Sequence, residues 1–130
     1  MRLRIIKAFE DYDTYAASDY SGTFSLASAK KIGIHAWATG ASSGSMTFKF
    51  EGSGDEVGSN EKFTPIYGLI DSNDNAKATT TLAGINLTGA STELYLSIPD
   101  TLCFNHGRVL MACSGDGSWN IFVLAQEDNL

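Results

Sequence analysis

At 130 residues, 43% apolar and 18% charged, the chain has the size and make-up of a single globular domain that buries its own core. A formal net charge of −6, with only 9 Lys and Arg residues spread along the sequence, excludes the continuous basic surface that nucleic-acid binding requires. No apolar run approaches the roughly 18 residues of a membrane span, and the opening Met-Arg-Leu-Arg-Ile-Ile-Lys lacks the apolar core of a secretory leader; synthesis in the cytosol, away from membranes, is expected.

Period-two alternation between turns rich in Gly, Ser and Asp predicts strands over residues 2–8, 23–26, 31–38, 45–51, 63–70, 78–83, 94–98, 108–113 and 119–125. Residues 1–20 are expected as an N-terminal strand followed by an extended arm or long loop. Phe9, Tyr12, Tyr15 and Tyr20 make that segment too adhesive to float free, so it should lie on this domain or on a neighbouring subunit. Residues 21–130 then form a single domain. Within it Ile32, Ile34, Ala36 and Ala38 alternate with Lys31, Gly33, His35 and Trp37, and a hairpin loop over 39–44 leads to Met46, Phe48 and Phe50. Residues 63–70 read as one strand, and the Asx cluster over 71–75 as a turn. Ser114-Gly115-Asp116-Gly117-Ser118 reads as a tight hairpin, because Asp-Gly supplies positive φ. The run 119–125 is apolar on both faces and should be covered on both, either between two layers or at a subunit contact. Together these elements predict an all-β fold, an antiparallel two-sheet β-sandwich of about eight strands. Ile32, Ile34, Phe48, Phe50, Leu94, Leu96, Ile121 and Val123 should point into the core.

No motif forces a chemistry. Gly40-Ala41-Ser42-Ser43-Gly44 matches G-x-S-x-G, but a strand follows where the hydrolase motif needs a helix. His35 and His106 have no carboxylate spaced to orient them and read as structural. Cys103, His106 and Cys113 lack a close cysteine pair for zinc, and without a secretory leader the two cysteines read as buried thiols. Asp71-Ser72-Asn73-Asp74-Asn75 opens like a calcium loop, yet Ala76 stands where its glycine belongs. Residues 52–60 have the composition of a phosphate loop without the Lys-Ser/Thr that would hold phosphate. Asn86-Leu87-Thr88 is a glycosylation sequon with no secretory route to use it. No catalysis, metal or cofactor is expected. The basic residues Arg2, Arg4 and Lys7 read as a solvated or partner-facing edge.

Within residues 31–69, Phe48-Lys49-Phe50-Glu51-Gly52-Ser53-Gly54-Asp55, with Phe63 opening the next strand, resembles a pattern in small all-β structural proteins of tailed bacteriophage virions. The chain departs from that pattern in having a longer loop and no glycine directly after Asp55. The resemblance implies a jelly-roll-like sandwich serving as a capsid decoration or auxiliary protein at the virion surface. It also implies a homo-oligomer, often a trimer, seated on the major capsid protein and bridging neighbouring capsomers. Arg2, Arg4, Phe9, Tyr12 and Tyr15 on the N-terminal arm are then the candidate capsid contacts. The alternative is a carbohydrate-binding or receptor-binding module in which Trp37, Tyr67 and Tyr95 stack on sugar rings.

Overall fold

Strands that alternate apolar with polar side chains can bury only one face each, so two sheets must close on one another. The computed structural model describes residues 2–15, 18–39, 45–54, 62–66, 69–71, 78–79, 83–86, 93–98, 105–114 and 116–127. Regular structure among these is β-strand alone, in twelve segments: β1 (Arg2–Tyr15), β2 (Ser18–Tyr20), β3 (Phe24–Ser25), β4 (Ala29–Thr39), β5 (Ser45–Ser53), β6 (Thr64–Pro65), β7 (Leu69–Asp71), β8 (Ala78–Thr79), β9 (Ala83–Asn86), β10 (Glu93–Ser97), β11 (His106–Ser114) and β12 (Asp116–Glu127). One sheet runs β1-β12-β4-β10-β7-β8. The other runs β2-β11-β5-β6, with β3 also on β11 and β9 also on β5. Every pairing is antiparallel.

The pairing has a nested order. β1 pairs β12, β2 and β3 pair β11, β4 pairs β10, and β5 pairs β6 and β9. One long antiparallel hairpin is therefore rolled up into two sheets, which is the jelly-roll path. The β7–β8 pair extends the first sheet beyond β10.

The two inner faces meet in one core. Ile34, Ala36 and Ala38 of β4, with Trp119, Ile121, Val123 and Ala125 of β12, face Met46, Phe48 and Phe50 of β5 and Val109 and Met111 of β11. Six of the eight expected core residues are fully buried: Ile34, Phe48, Phe50, Leu96, Ile121 and Val123. Ile32 is half-buried and packs against them. Leu94 sits opposite Ala36 on β10, with its side chain outside the described residues. At one end of the core Gly107 faces Gly52 across the β11–β5 ladder. A Cβ on Gly107 would lie 2.7 Å from Phe24 Cε2 and 2.9 Å from Phe50 Cζ. The missing side chain is what lets the Phe24–Phe50 pair close that end.

Several expectations are corrected. Residues 9–15 and 18–20 are strands of the two sheets and not an arm or loop. β1 continues to Tyr15 on β12, and β2 joins the second sheet through Leu110, Met111 and Ala112. Two register shifts, near Phe9 and Tyr12, let β1 follow its partner, and Asp11 takes φ 48° between them. The run 63–70 is two strands in different sheets. β6 pairs β5 through Thr64 and Pro65, with the Ile66 N–H donating to the Phe50 carbonyl at 2.9 Å, and β7 begins at Leu69 opposite β10. Residues 78–83 likewise divide between β8 and β9, on different sheets. The turns over 39–44 and 114–118 are not hairpins, because β4 and β5, like β11 and β12, belong to opposite sheets. The Gly40–Ser42–Gly44 motif, the later positions of the calcium-like turn, and Cys103 lie outside the described residues.

Truncating Phe50 to Ala should cost about 3–5 kcal/mol in urea denaturation, as for other large core aromatics. Gly107→Ala should cost about 1–3 kcal/mol by overpacking the same end of the core. A loss below about 0.5 kcal/mol for Gly107→Ala would mean that the two phenylalanines move aside freely.

Candidate interaction surface

β1 offers apolar residues on both of its faces, and its neighbours decide which face turns inward. Ile6 and Ala8 pack against the core, and Arg4 shares their face of the strand. The guanidinium of Arg4 ends at the mouth of the sandwich, where its Nε lies 2.5 Å from Glu127 Oε1. Arg4 also donates to the carbonyl of Ser25. Glu127 Oε2 accepts from Ser28 Oγ at 2.6 Å and from Arg2 at 3.3 Å. The last residue of β12 is thus a nearly buried carboxylate held by the first strand and by the turn before β4. The Ser28 hydrogen bond and the two arginines hold the Glu127 carboxyl below its ordinary value of 4.5, against the opposing effect of burial.

The sequence candidates on β1 therefore separate. Phe9 is buried in the core, edge-to-face with Tyr12 at 5.2 Å. The Tyr12 hydroxyl donates to Asp19 Oδ2 at 3.0 Å, which pins β1 to β2 and raises the phenol pKa. Phe9 is thus taken up by the core, while Tyr12 is half-buried with its hydroxyl on Asp19. Arg2 and Arg4 are committed largely to Glu127, and the side chain of Tyr15 lies outside the described residues. The outward side chains of β1 are instead Leu3, Ile5 and Lys7, with Leu3 59% and Ile5 53% exposed.

These residues open onto the outer face of the first sheet. Register places Lys7, Phe122, His35 and Tyr95 directly opposite one another across four strands. Ile5, Leu124, Gly33 and Ser97 form the neighbouring row. His35 stacks on Tyr95 at 3.9 Å and 9°, and on Trp37 at 4.4 Å and 29°. Trp37 meets Phe122 edge-on at 4.7 Å, and Lys7 Nζ lies 5.7 Å from the Phe122 ring centre. Two of the three sugar-stacking candidates, Trp37 and Tyr95, thus belong to one cluster through His35. Tyr67 lies outside the described residues. The result is an aromatic and aliphatic strip running obliquely over the sheet.

The second sheet carries a different cluster on its outer face. Arg108 Nε donates to Glu51 Oε1 at 2.7 Å, and the guanidinium carbon lies 4.1 Å from the Tyr20 ring centre and 4.2 Å from that of Phe63. Glu51 is buried, so this cation neutralises it while tying β2 and the segment before β6 onto the sheet. Sequence reading named Tyr20, Glu51 and Phe63 in other connections but did not group them with Arg108, and the four are separated along the chain by up to 88 positions from Tyr20 to Arg108. Only the β11–β5 register brings Arg108 opposite Glu51. Among the described residues no group of three or more His, Cys, Asp or Glu is placed to hold a metal ion. Among the described residues there is no helix long and apolar enough to cross a membrane.

Known structures share this architecture. The SPBc2 prophage-derived protein YomS matches with a TM-score of 0.56 at 15% identity, over 95% of this chain and 94% of that one. A chain of infectious bursal disease virus, Gx strain, matches with a TM-score of 0.54 at 16% identity over 95% of this chain. A chain of the T13 particle of the same virus gives 0.53 at 12% identity over 97%. This chain spans 32% and 31% of those two viral chains. At such identities the likeness is one of fold. No protein-family model matches the chain, and no curated protein matches it by sequence.

Two measurements probe the polar clusters. Because the Glu127 carboxyl sits lower in the folded chain, its contribution is complete above pH 4.5 and is lost as pH falls through the lower native value. The stability gap between the wild type and Glu127→Gln should therefore narrow below pH 4.5 in thermal melts and stay constant above about 6. Arg108→Ala should cost about 3 kcal/mol, since it strands a buried carboxylate. Arg108→Lys should recover only part of that, because an ammonium lacks the planar stack between two rings.

Proposed function

We propose that this chain is a non-enzymatic structural protein of a viral particle, a jelly-roll unit that docks on the shell as a decoration or auxiliary protein. The observation that carries this reading is the fold match of 95% of this chain to 94% of a prophage-derived protein, joined by matches to about a third of a viral particle chain. The bacteriophage resemblance around residues 48–63 points the same way. The location is the virion surface, the partner is the major capsid protein, and the chain acts as a homo-oligomer, for which the resemblance implies a trimer.

The fold suits such a role physically. A sandwich closed by one continuous core is rigid enough to transmit lattice contacts, and it leaves an outer sheet face free to bind. The contact surface we assign is the strip of Ile5, Leu124, Phe122, Trp37 and Tyr95, in place of an N-terminal arm whose Phe9 ring is buried and whose Tyr12 is bonded to Asp19. Flat apolar strips with aromatic members suit the centre of an interface, where Trp and Tyr contribute most per residue.

A second reading draws support from the same cluster. Trp37 and Tyr95 lie in one group with His35. Each ring uses one face on the imidazole, and Tyr95 remains 38% exposed, so a sugar ring would stack on Tyr95 first.

Co-sedimentation with particles lacking the protein tests both readings. Tyr95→Asp should weaken attachment at least tenfold, about 1.4 kcal/mol, while a charge reversal on the opposite sheet, Lys49→Glu, should leave it unchanged. Attachment indifferent to Tyr95→Asp would remove this face as the docking surface. Competition by a soluble glycan would favour the second reading.

A further inference from the structure

We infer that the N-terminal half of β1 is a homodimerisation edge, at which a second copy of this chain adds its own β1 antiparallel, with Ile5 opposite Ile5 on a twofold axis. This rests on the geometry of the sheet and stands whether or not the shell-docking reading holds.

A strand edge with unpaired N–H and C=O groups is a template for another strand, and proteins normally keep such edges short, bulged or charged. Among the described residues, the other edge positions obey that rule. β2, β3, β6, β8 and β9 are two to four residues long. β1 is the exception, at 14 residues, and it pairs β12 on one side only.

The irregularities that protect β1 are confined to its C-terminal half, while its N-terminal half carries the cations Arg2, Arg4 and Lys7. Both register shifts fall after Lys7, Asp11 takes φ 48°, and the acids Glu10, Asp11 and Asp13 cluster there. From Arg2 to Lys7 the register with β12 is unbroken. In that regular part the outward side chains include Leu3 and Ile5, the two most exposed large hydrophobics among the described residues.

The pairing register follows from charge and from the bulges. A twofold axis perpendicular to the sheet keeps each face on its own side, so one residue of β1 must lie opposite its own copy. Centring on Arg4 would set two guanidinium groups opposite each other, which is unfavourable. Centring on Ile6 would bring Leu3 opposite Phe9, beyond the first register shift, where the ladder is already broken. Centring on Ile5 uses only the regular segment. It sets Ile5 against Ile5, Leu3 against the stem of Lys7, and Arg4 against Ile6. No like charges then face one another directly, and the Lys7 ammonium keeps its contact with Glu10 at 2.9 Å. Closure about a twofold axis stops at two chains and leaves no free β1 edge. It also yields dimers, where the bacteriophage resemblance implies trimers.

Sedimentation equilibrium on the full chain is the test. At about 100 µM, a range in which modest strand-pairing interfaces are populated, the wild type should have twice the 13.9 kDa mass of one chain. Ile5→Lys and Ile5→Glu should each raise the dimer dissociation constant at least 100-fold, while an equimolar mixture of the two should dimerise again. Ile5→Cys should oxidise to a linked dimer by itself, whereas Leu3→Cys should do so only when mixed with Lys7→Cys. The cysteine pairs report the register even where a charged variant folds poorly. A wild type that is monomeric at that concentration overturns the inference. So does an oligomer unaffected by either Ile5 substitution, or a Leu3→Cys chain that links to itself as readily as Ile5→Cys.

Discussion

β12 is the strand on which the rest of the sandwich depends. It lies between β1 and β4, so both halves of the first sheet are joined through its two ladders. Its inward residues Trp119, Ile121, Val123 and Ala125 are completely buried and form the part of the core that the second sheet packs against. Its last residue, Glu127, gathers Arg2, Arg4 and Ser28 at the open end. A jelly roll cannot form locally, because most connections between its main strands change sheet. Its sheets are joined by contacts far apart in sequence, and the pairing of residues 2–15 with 116–127 is the most distant of these. Such topologies fold slowly for the same reason, since loop closure precedes the contacts that reward it.

That dependence on distant pairing explains what was legible in the sequence. The strands over 31–38, 45–51, 94–98, 108–113 and 119–125 were visible because alternation is a local property, and each is present within a few residues of its expected bounds. The inward residues followed from the same signal. Partnership did not. Asp116-Gly117 marks a change of direction, and a change of direction serves a sheet crossing as well as a hairpin. In the same way the composition of residues 63–70 does not say that the chain resumes on the other sheet. The two-faced apolar run of β12 was the one long-range clue: it was read as needing cover on both faces, and its inner face lies in the core while Phe122 and Leu124 are half-buried on the outer face of the sheet.

The candidate site was legible only in part, for a related reason. Trp37 and Tyr95 stood out as aromatics on polar-looking faces, but His35, which joins them, carries no signal until β10 is set beside β4. On β1 the pattern Arg-Leu-Arg-Ile-Ile-Lys-Ala has apolar residues at both parities. Periodicity alone is neutral about which set turns inward. The outcome is decided more than a hundred residues away, where Glu127 makes it favourable for Arg4 to enter the mouth of the sandwich. With Arg4 inside, Leu3 and Ile5 are directed outward. One buried carboxylate thereby sets the polarity of the outer sheet.

The same carboxylate would link the proposed assembly to folding. The outward strip of Leu3 and Ile5 exists only while β1 keeps this register, and that register is anchored at one end by Glu127 and at the other by Tyr12 on Asp19. Between these anchors the face and the edge of β1 are distinct surfaces on one strand. A partner lying flat on the sheet would contact Ile5, Leu124 and Phe122 from above, while a second copy would meet the backbone of β1 from the side. The two contacts share Ile5 but use different groups of it and of its neighbours, so a paired sheet would present two copies of the apolar strip, related by a twofold axis, on one continuous surface. Doubling the strip in this way raises the effective concentration of the second contact once the first has formed, and so strengthens attachment without any new side chain.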